Sequence, residues 1–173
     1  FGQRTGHLHL EHIPGEAQAD FGAAEYYEKG QLCSGKYLNL SFPYSNQGYF
    51  QLFKGENQEC LFEGLISIFE HIGGVPSRIW FDNTKTIVTR VLKDGGRTLT
   101  GDFLRFREHY RFDSVFCNVE AGHEKGNVES KVGYHRRNWL VPVPHFERLT
   151  EFNQELLKTC DLDAAREHYR KEA

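Results

Sequence analysis

The stretch Pro14-Gly15-Glu16-Ala17-Gln18-Ala19-Asp20-Phe21-Gly22-Ala23 decides the fold. From Ala17 onward, Ala17, Ala19, Phe21 and Ala23 alternate with Gln18, Asp20 and Gly22, the two-residue period of a strand with one face in a core. That period turns Asp20 away from the apolar side. Glu28-Lys29-Gly30-Gln31 then reads as a turn, Leu38, Leu40 and Phe42 alternate again, and Pro43 to Gly48 turn the chain into a strand over Tyr49 to Lys54. The spacing predicts a three-stranded antiparallel meander.

Beyond the meander the period changes. Asn57 is placed to cap a helix whose apolar positions Leu61, Leu65, Ile68 and Ile72, flanked by Phe62, Ile66 and Phe69, recur at helical spacing until Gly73-Gly74 and Pro76 end it. Ile79-Trp80-Phe81 is a continuous apolar run that reads as a central strand buried on both faces, with Asp82-Asn83 emerging at its end. A helix from about Leu99 to His109, a strand over Val115 to Val119 and a helix from Glu124 to Leu140 follow, the last stopped by Pro142 and Pro144. The tail from His145 reads as an amphipathic helix carrying Phe146, Leu149, Phe152, Leu156 and Leu157, packed on the core or on a partner domain. The order strand, strand, strand, helix, strand, helix, strand, helix mixes a meander with β-α-β crossovers.

Length and composition bound the answer. At 173 residues, 39% hydrophobic and 14% aromatic, the chain holds enough apolar material for one domain with a short appendage. Leu61 to Ile72 is too short and too interrupted by Glu63, Gly64, Ser67, Glu70 and His71 to span a membrane. The chain starts at Phe1 and contains no Met, so it reads as a piece of a longer protein, and nothing at its start resembles a signal peptide. Cys33, Cys60, Cys117 and Cys160 form no C-x-x-C pair and read as free thiols. His7, His9 and His12 alternate as metal ligands can, but in a polar terminus without cysteines they read as a solvated segment. A formal net charge of −3 argues against gripping nucleic acid by bulk electrostatics.

Among 24 acidic residues, placement rather than number singles out three contexts: Asp20 within a strand, Asp82 at a strand end, and Glu129 in His123-Glu124-Lys125-Gly126-Asn127-Val128-Glu129 at a helix start. Carboxylates on a first strand, on the end of its neighbour and on a covering helix can converge at one edge of a sheet. On the last helix Lys125, Glu129, Gly133 and Arg136 share a face, beside an apolar stripe of Val128, Val132, His135 and Trp139. Gly133 costs that helix about 1 kcal/mol relative to Ala, which suits close approach of a phosphate-bearing ligand, with Lys125 and Arg136 placed to meet its charge.

These segments resemble the DDE catalytic core shared by retroviral integrases and bacterial insertion-sequence transposases, over about Gly15 to Pro142. Pro14 to Gly22 and Trp80-Phe81-Asp82-Asn83-Thr84-Lys85 resemble the branch that works with a AAA+ ATPase helper. The spacing from Asp82 to Glu129 exceeds the integrase pattern, and Thr84 stands where integrases usually have Gly.

The resemblance implies an RNase H-like α/β fold, a five-stranded mixed sheet (antiparallel meander plus parallel strands) with helices on both faces. It implies a lead-in over 1–14, a catalytic core over 15–142 and a helical extension over 143–173. Asp20, Asp82 and Glu129 would hold two Mg²⁺ or Mn²⁺ ions, about 3.5–4 Å apart, Asp20 bridging both, for DNA cleavage and strand transfer without a protein nucleophile. Lys125, Lys131, Arg136, Arg137, Asn83 and Lys85 are the candidate DNA contacts, and His123 a candidate for orienting a phosphate or water. The implied partners are DNA, as element ends and target, further copies of the protein and the ATPase helper, in a bacterial cytoplasm and at the nucleoid, with no membrane. The rival readings are an RNase H-like nuclease without strand transfer and an inactive, domesticated DNA-binding or assembly domain.

Overall fold

The computed structural model describes residues 10–43, 45, 47–55, 57–82, 88–91, 97–116 and 143–172. Strands β1 (Glu11–Glu28), β2 (Gln31–Phe42) and β3 (Gln47–Phe53) form the meander, followed by α1 (Gln58–Ile72) and β4 (Gly74–Asp82). A small hairpin, β5 (Val88–Val91) and β6 (Arg97–Leu99), precedes α2 (Gly101–Tyr110) and β7 (Asp113–Phe116). Strand β8 (His145–Phe146) and a long helix, here α3 (Leu149–Glu172), close the chain.

The main sheet runs β3-β2-β1-β4-β7, with β8 added on β1. It is the expected five-stranded mixed sheet plus one two-residue strand. β1 pairs antiparallel with β2 and parallel with β4, and β4 pairs parallel with β7. Lys29 (φ 53) and Gly30 (φ 78) close the β1–β2 hairpin. A two-residue loop with both φ values positive matches the twist of paired strands, and Gly adopts it without a Cβ clash.

The face that carries the odd-numbered residues of β1 and β4, with Leu38 and Leu40 of β2, is the core. Ala17, Ala19 and Phe21 of β1 and Ile79 and Phe81 of β4 are buried. α1 covers this face, capped at Asn57, whose side chain accepts from Cys60 N, and ended at left-handed Gly73. A Cβ on Gly64 would lie 2.6 Å from Leu38 Cδ2 and 2.7 Å from Phe53 Cζ, so glycine lets α1 seat closely on the meander. α2 joins through aromatic contacts: Phe62 stacks on Phe106 at 4.5 Å, and Phe103 meets Phe81 edge-on at 5.4 Å. Offset and edge-on ring pairs add about 0.5–1.5 kcal/mol each beyond area burial.

α3 packs on the core, against the edge strand β3. Its Asn153 side chain accepts from Leu52 N (2.8 Å) and donates to Leu52 O (2.9 Å), while Gln51 Nε2 donates to Asn153 O (3.1 Å). One side-chain amide thus replaces a neighbouring strand and closes an edge that would otherwise invite pairing. Tyr49 Oη and His71 Nε2 both bond the Asp161 carboxylate, at 2.8 and 2.6 Å. Among the described residues no helix is long and apolar enough to cross a membrane.

Several elements differ from the sequence expectations. β1 begins at Glu11 rather than Ala17, because an irregularity between Ile13 and Glu16 lets it pair with β4 across Pro14-Gly15. Trp80 is half-buried, so β4 is covered on one face there rather than both. The segment expected to be wholly helical from His145 starts with β8, and the β5–β6 hairpin was not anticipated. α2 starts at Gly101 with Thr100 as its cap, and β7 starts at Asp113. The helix expected over Glu124 to Leu140 lies outside the described residues. Cys33, Cys60 and Cys160 are free thiols.

Replacing Asn153 with Leu, which keeps volume but removes the amide, should lower unfolding free energy in urea by about 1–3 kcal/mol, the worth of two hydrogen bonds. Burial first, then the bond to Asp161, raises the Tyr49 pKa. The folded state therefore holds that proton more tightly than the unfolded chain. Its contribution is complete below the ordinary tyrosine value of about 10 and is lost as pH rises above it. Tyr49→Phe should flatten that alkaline loss in pH-dependent melts.

Candidate functional site

The opposite face, with the even-numbered residues of β1 and β4 and Asn39 of β2, carries the polar row. Asp20 sits in the middle of β1 between buried Ala19 and Phe21 and is half-buried, with Oδ1 shielded from solvent. Its register partner on the parallel strand β4 is Asp82, that strand's last residue. Its antiparallel partner on β2 is Asn39, which pairs in turn with Phe50 on β3. Neighbouring strands lie about 4.8 Å apart, and in-register partners share a face, so positions 82, 20, 39 and 50 form one line across the sheet.

Two devices hold that line. The apolar partners Ala17↔Ile79 and Ala19↔Phe81 alternate with the acid pair and bury the opposite face. Upstream, the Glu16 carboxylate accepts from Trp80 Nε1 at 2.9 Å and from Arg78 Nη1 at 3.0 Å. Glu16 and Arg78 are both well exposed, so their ion pair adds little free energy, yet it ties β1 to β4 just after the irregularity.

On the β2 side the row is walled by aromatic rings. Tyr37 stacks on Phe50 at 4.7 Å and lies over Gly22, where a Cβ would come within 2.2 Å of its ring. Asn39 is fully buried, and its Nδ2 donates to Ser41 Oγ at 3.2 Å. Sequence reading missed Asn39: alternation with Leu38 and Leu40 makes it look solvent-facing. The available signal was a poor strand-forming residue at the centre of a strand.

Adjacent carboxylate positions with a buried amide, and no sulfur or imidazole in the row, suit a hard cation with oxygen ligands, Mg²⁺ or Mn²⁺, and not a soft metal. Among the described residues no group of three His, Cys, Asp or Glu comes together to hold a metal. The structure brings together Asp20 and Asp82. The third expected acid, Glu129, lies outside the described residues, as do Asn83, Lys85, His123, Lys125, Lys131, Arg136 and Arg137. His7 and His9 lie outside them too, and His12 is exposed on β1.

No protein-family model matches the chain. It is 34% identical over 105 residues to a transposase of Aminobacter aminovorans, covering 61% of this chain and 21% of the relative. It is 31% identical over 165 residues to a putative transposase for insertion sequence element IS5376 of Geobacillus stearothermophilus, covering 92% of this chain and 40% of the relative. The chain thus spans less than half the length of either. Among solved structures it matches the HTLV-2 integrase catalytic core domain in complex with magnesium with a TM-score of 0.54 and 16% identity, covering 84% of this chain and 83% of that one. Homologues of this chain are insertion-sequence transposases, and its fold is the RNase H-like fold of integrase catalytic cores.

Like charges at register positions repel, an effect on the order of 0.2–1 kcal/mol in a sheet pair. Without divalent metal, Asp20→Asn should therefore raise the unfolding free energy by that amount in denaturant titration; a fall would mean the carboxylate is structural.

Proposed function

We propose that this chain, with the fold of an integrase core and transposases as homologues, is the catalytic domain of a DNA transposase. It cuts DNA at element ends and joins them to a target by metal-dependent phosphoryl transfer. The observation that carries this reading is the register of Asp20 with Asp82 on the sheet's central parallel pair.

In this reading Asp20, Asp82 and Glu129 hold two Mg²⁺ or Mn²⁺ ions. When bound, such ions activate the attacking oxygen and stabilise the leaving one in an in-line displacement. The chain's own share is positioning. β1 and β4 set positions 20 and 82 in register, and the aromatic layer on the opposite face would keep those strands from shifting when DNA docks. Glu129 would complete the set from the segment that follows β7. Lys125, Lys131, Arg136 and Arg137 would meet phosphates, Asn83 and Lys85 would contact DNA beside Asp82, and His123 would orient a phosphate or water.

The catalytic domain spans 15–142 in this reading, with 1–14 leading in and 143–173 as an extension. An overall charge of −3 leaves much of the DNA grip to other modules, to further copies of the protein and to a AAA+ ATPase helper, in the bacterial cytoplasm at the nucleoid.

The test is an assay offering a pre-cut DNA end with a free 3′-hydroxyl and a target duplex, with Mn²⁺ or Mg²⁺. Joined product is expected from the parent. Asp20→Asn, Asp82→Asn and Glu129→Gln should each cost about 10²-fold or more, the scale of losing one preorganised charge-stabilising group. Hydrolysis without joining would favour a nuclease, and neither activity would favour an inactive binding domain.

A further inference from the structure

Asn39 is the register partner of Asp20 on β2, and it is fully buried. On its face of the sheet it has four neighbouring positions: Tyr37 and Ser41 along its own strand, Phe50 on β3 and Asp20 on β1. Tyr37 and Phe50 present stacked rings. Ser41 Oγ takes the Nδ2 donor at 3.2 Å. The Asn39 Oδ1 atom is shut from solvent and has no hydrogen-bond partner among the described residues. Leaving a buried acceptor unsatisfied costs about 1–3 kcal/mol, and asparagine is depleted in strands. Structural reasons alone favour an apolar residue here, in a strand whose Leu38 and Leu40 are already core.

A neutral carbonyl oxygen beside carboxylates is a donor that hard cations accept alongside acids. It completes a coordination environment without adding the repulsion of another negative charge. We propose that Asn39 Oδ1 is a further, neutral oxygen donor to the cation site built on Asp20. This rests on the metal-dependent reading above, and extends the site from β1 and β4 onto β2. Ser41 is the positioning residue: its Oγ accepts from Nδ2, which leaves Oδ1 as the end of the amide for the site.

The test is calorimetric titration of the whole chain with Mn²⁺ alone, without DNA, on the parent, Asn39→Leu, Asn39→Asp and Asp20→Asn, with circular dichroism to confirm folding. Asn39→Leu should bind Mn²⁺ about tenfold more weakly, the lower end of the range for losing a group that supports metal ligands. Asn39→Asp, which keeps the oxygen and adds charge, should bind at least as tightly as the parent. Parent-like affinity in folded Asn39→Leu, while Asp20→Asn abolishes binding, overturns the role of Asn39 and leaves the cation site standing. Unchanged binding in Asp20→Asn overturns the cation site itself. If Asn39→Leu does not fold, weaker binding by Asn39→Asp than by the parent overturns the proposal.

Discussion

The register between β1 and β4 is the constraint on which the molecule depends. Side chains alternate faces with a period of two, so a slip of one residue would carry Asp20 into the layer under α1 and bring Ala19 or Phe21 out to the polar face. An isolated carboxylate in that layer would be neutralised or expelled at high cost. The apolar pairs Ala17↔Ile79 and Ala19↔Phe81 and the polar pair Asp20↔Asp82 therefore specify one alignment from both sides. Folding and site assembly are the same event.

The two faces divide the work. Beneath the row, Phe62, Phe69, Phe81, Phe103, Phe106 and Phe112 form a connected aromatic layer whose close packing resists displacement. On the proposed reading, such a base suits a site that must place charge accurately. At the sheet's edge α3 closes β3 through the Asn153 amide. A strand that could recruit another chain instead ends against its own helix.

Much of this was legible in the residues. The Ala17 to Ala23 alternation oriented Asp20, the Asn57 cap and Gly73 stop bounded α1, and the short apolar run before Asp82 located β4. What escaped reading was set by contacts distant in sequence. Pro14-Gly15 looks like a break, yet Ser77 Oγ bonds Gly15 O at 2.8 Å across the β1–β4 pair, and the strand continues. β8 exists because β1 extends past the end of β4 and leaves an edge open at Tyr27 and Glu28; no local pattern at His145-Phe146 announces that vacancy. Trp80 keeps its indole half-buried because Glu16 receives its N–H, a partner 64 positions away. Of the candidate row, the strands that carry Asp20 and Asp82 were visible, whereas the burial of their neighbour Asn39 was hidden by the apolar residues on either side of it.

On the proposed reading, the polar row sets a conflict that a cation relieves. In the metal-free chain, Asp20 and Asp82 at adjacent positions and a buried amide at Asn39 all work against the sheet that carries them, while the aromatic layer and the α3 clamp supply the stability to tolerate them. A cation that binds the folded row and not the unfolded chain adds RT ln(1 + [L]/Kd), about 2.7 kcal/mol at a hundredfold excess over Kd. That gain compares with the repulsion of about 0.2–1 kcal/mol plus the unsatisfied acceptor at about 1–3 kcal/mol. On the proposed reading, then, the strain in the row is of the size that cation binding removes, and the same groups that weaken the metal-free sheet give the metal its site.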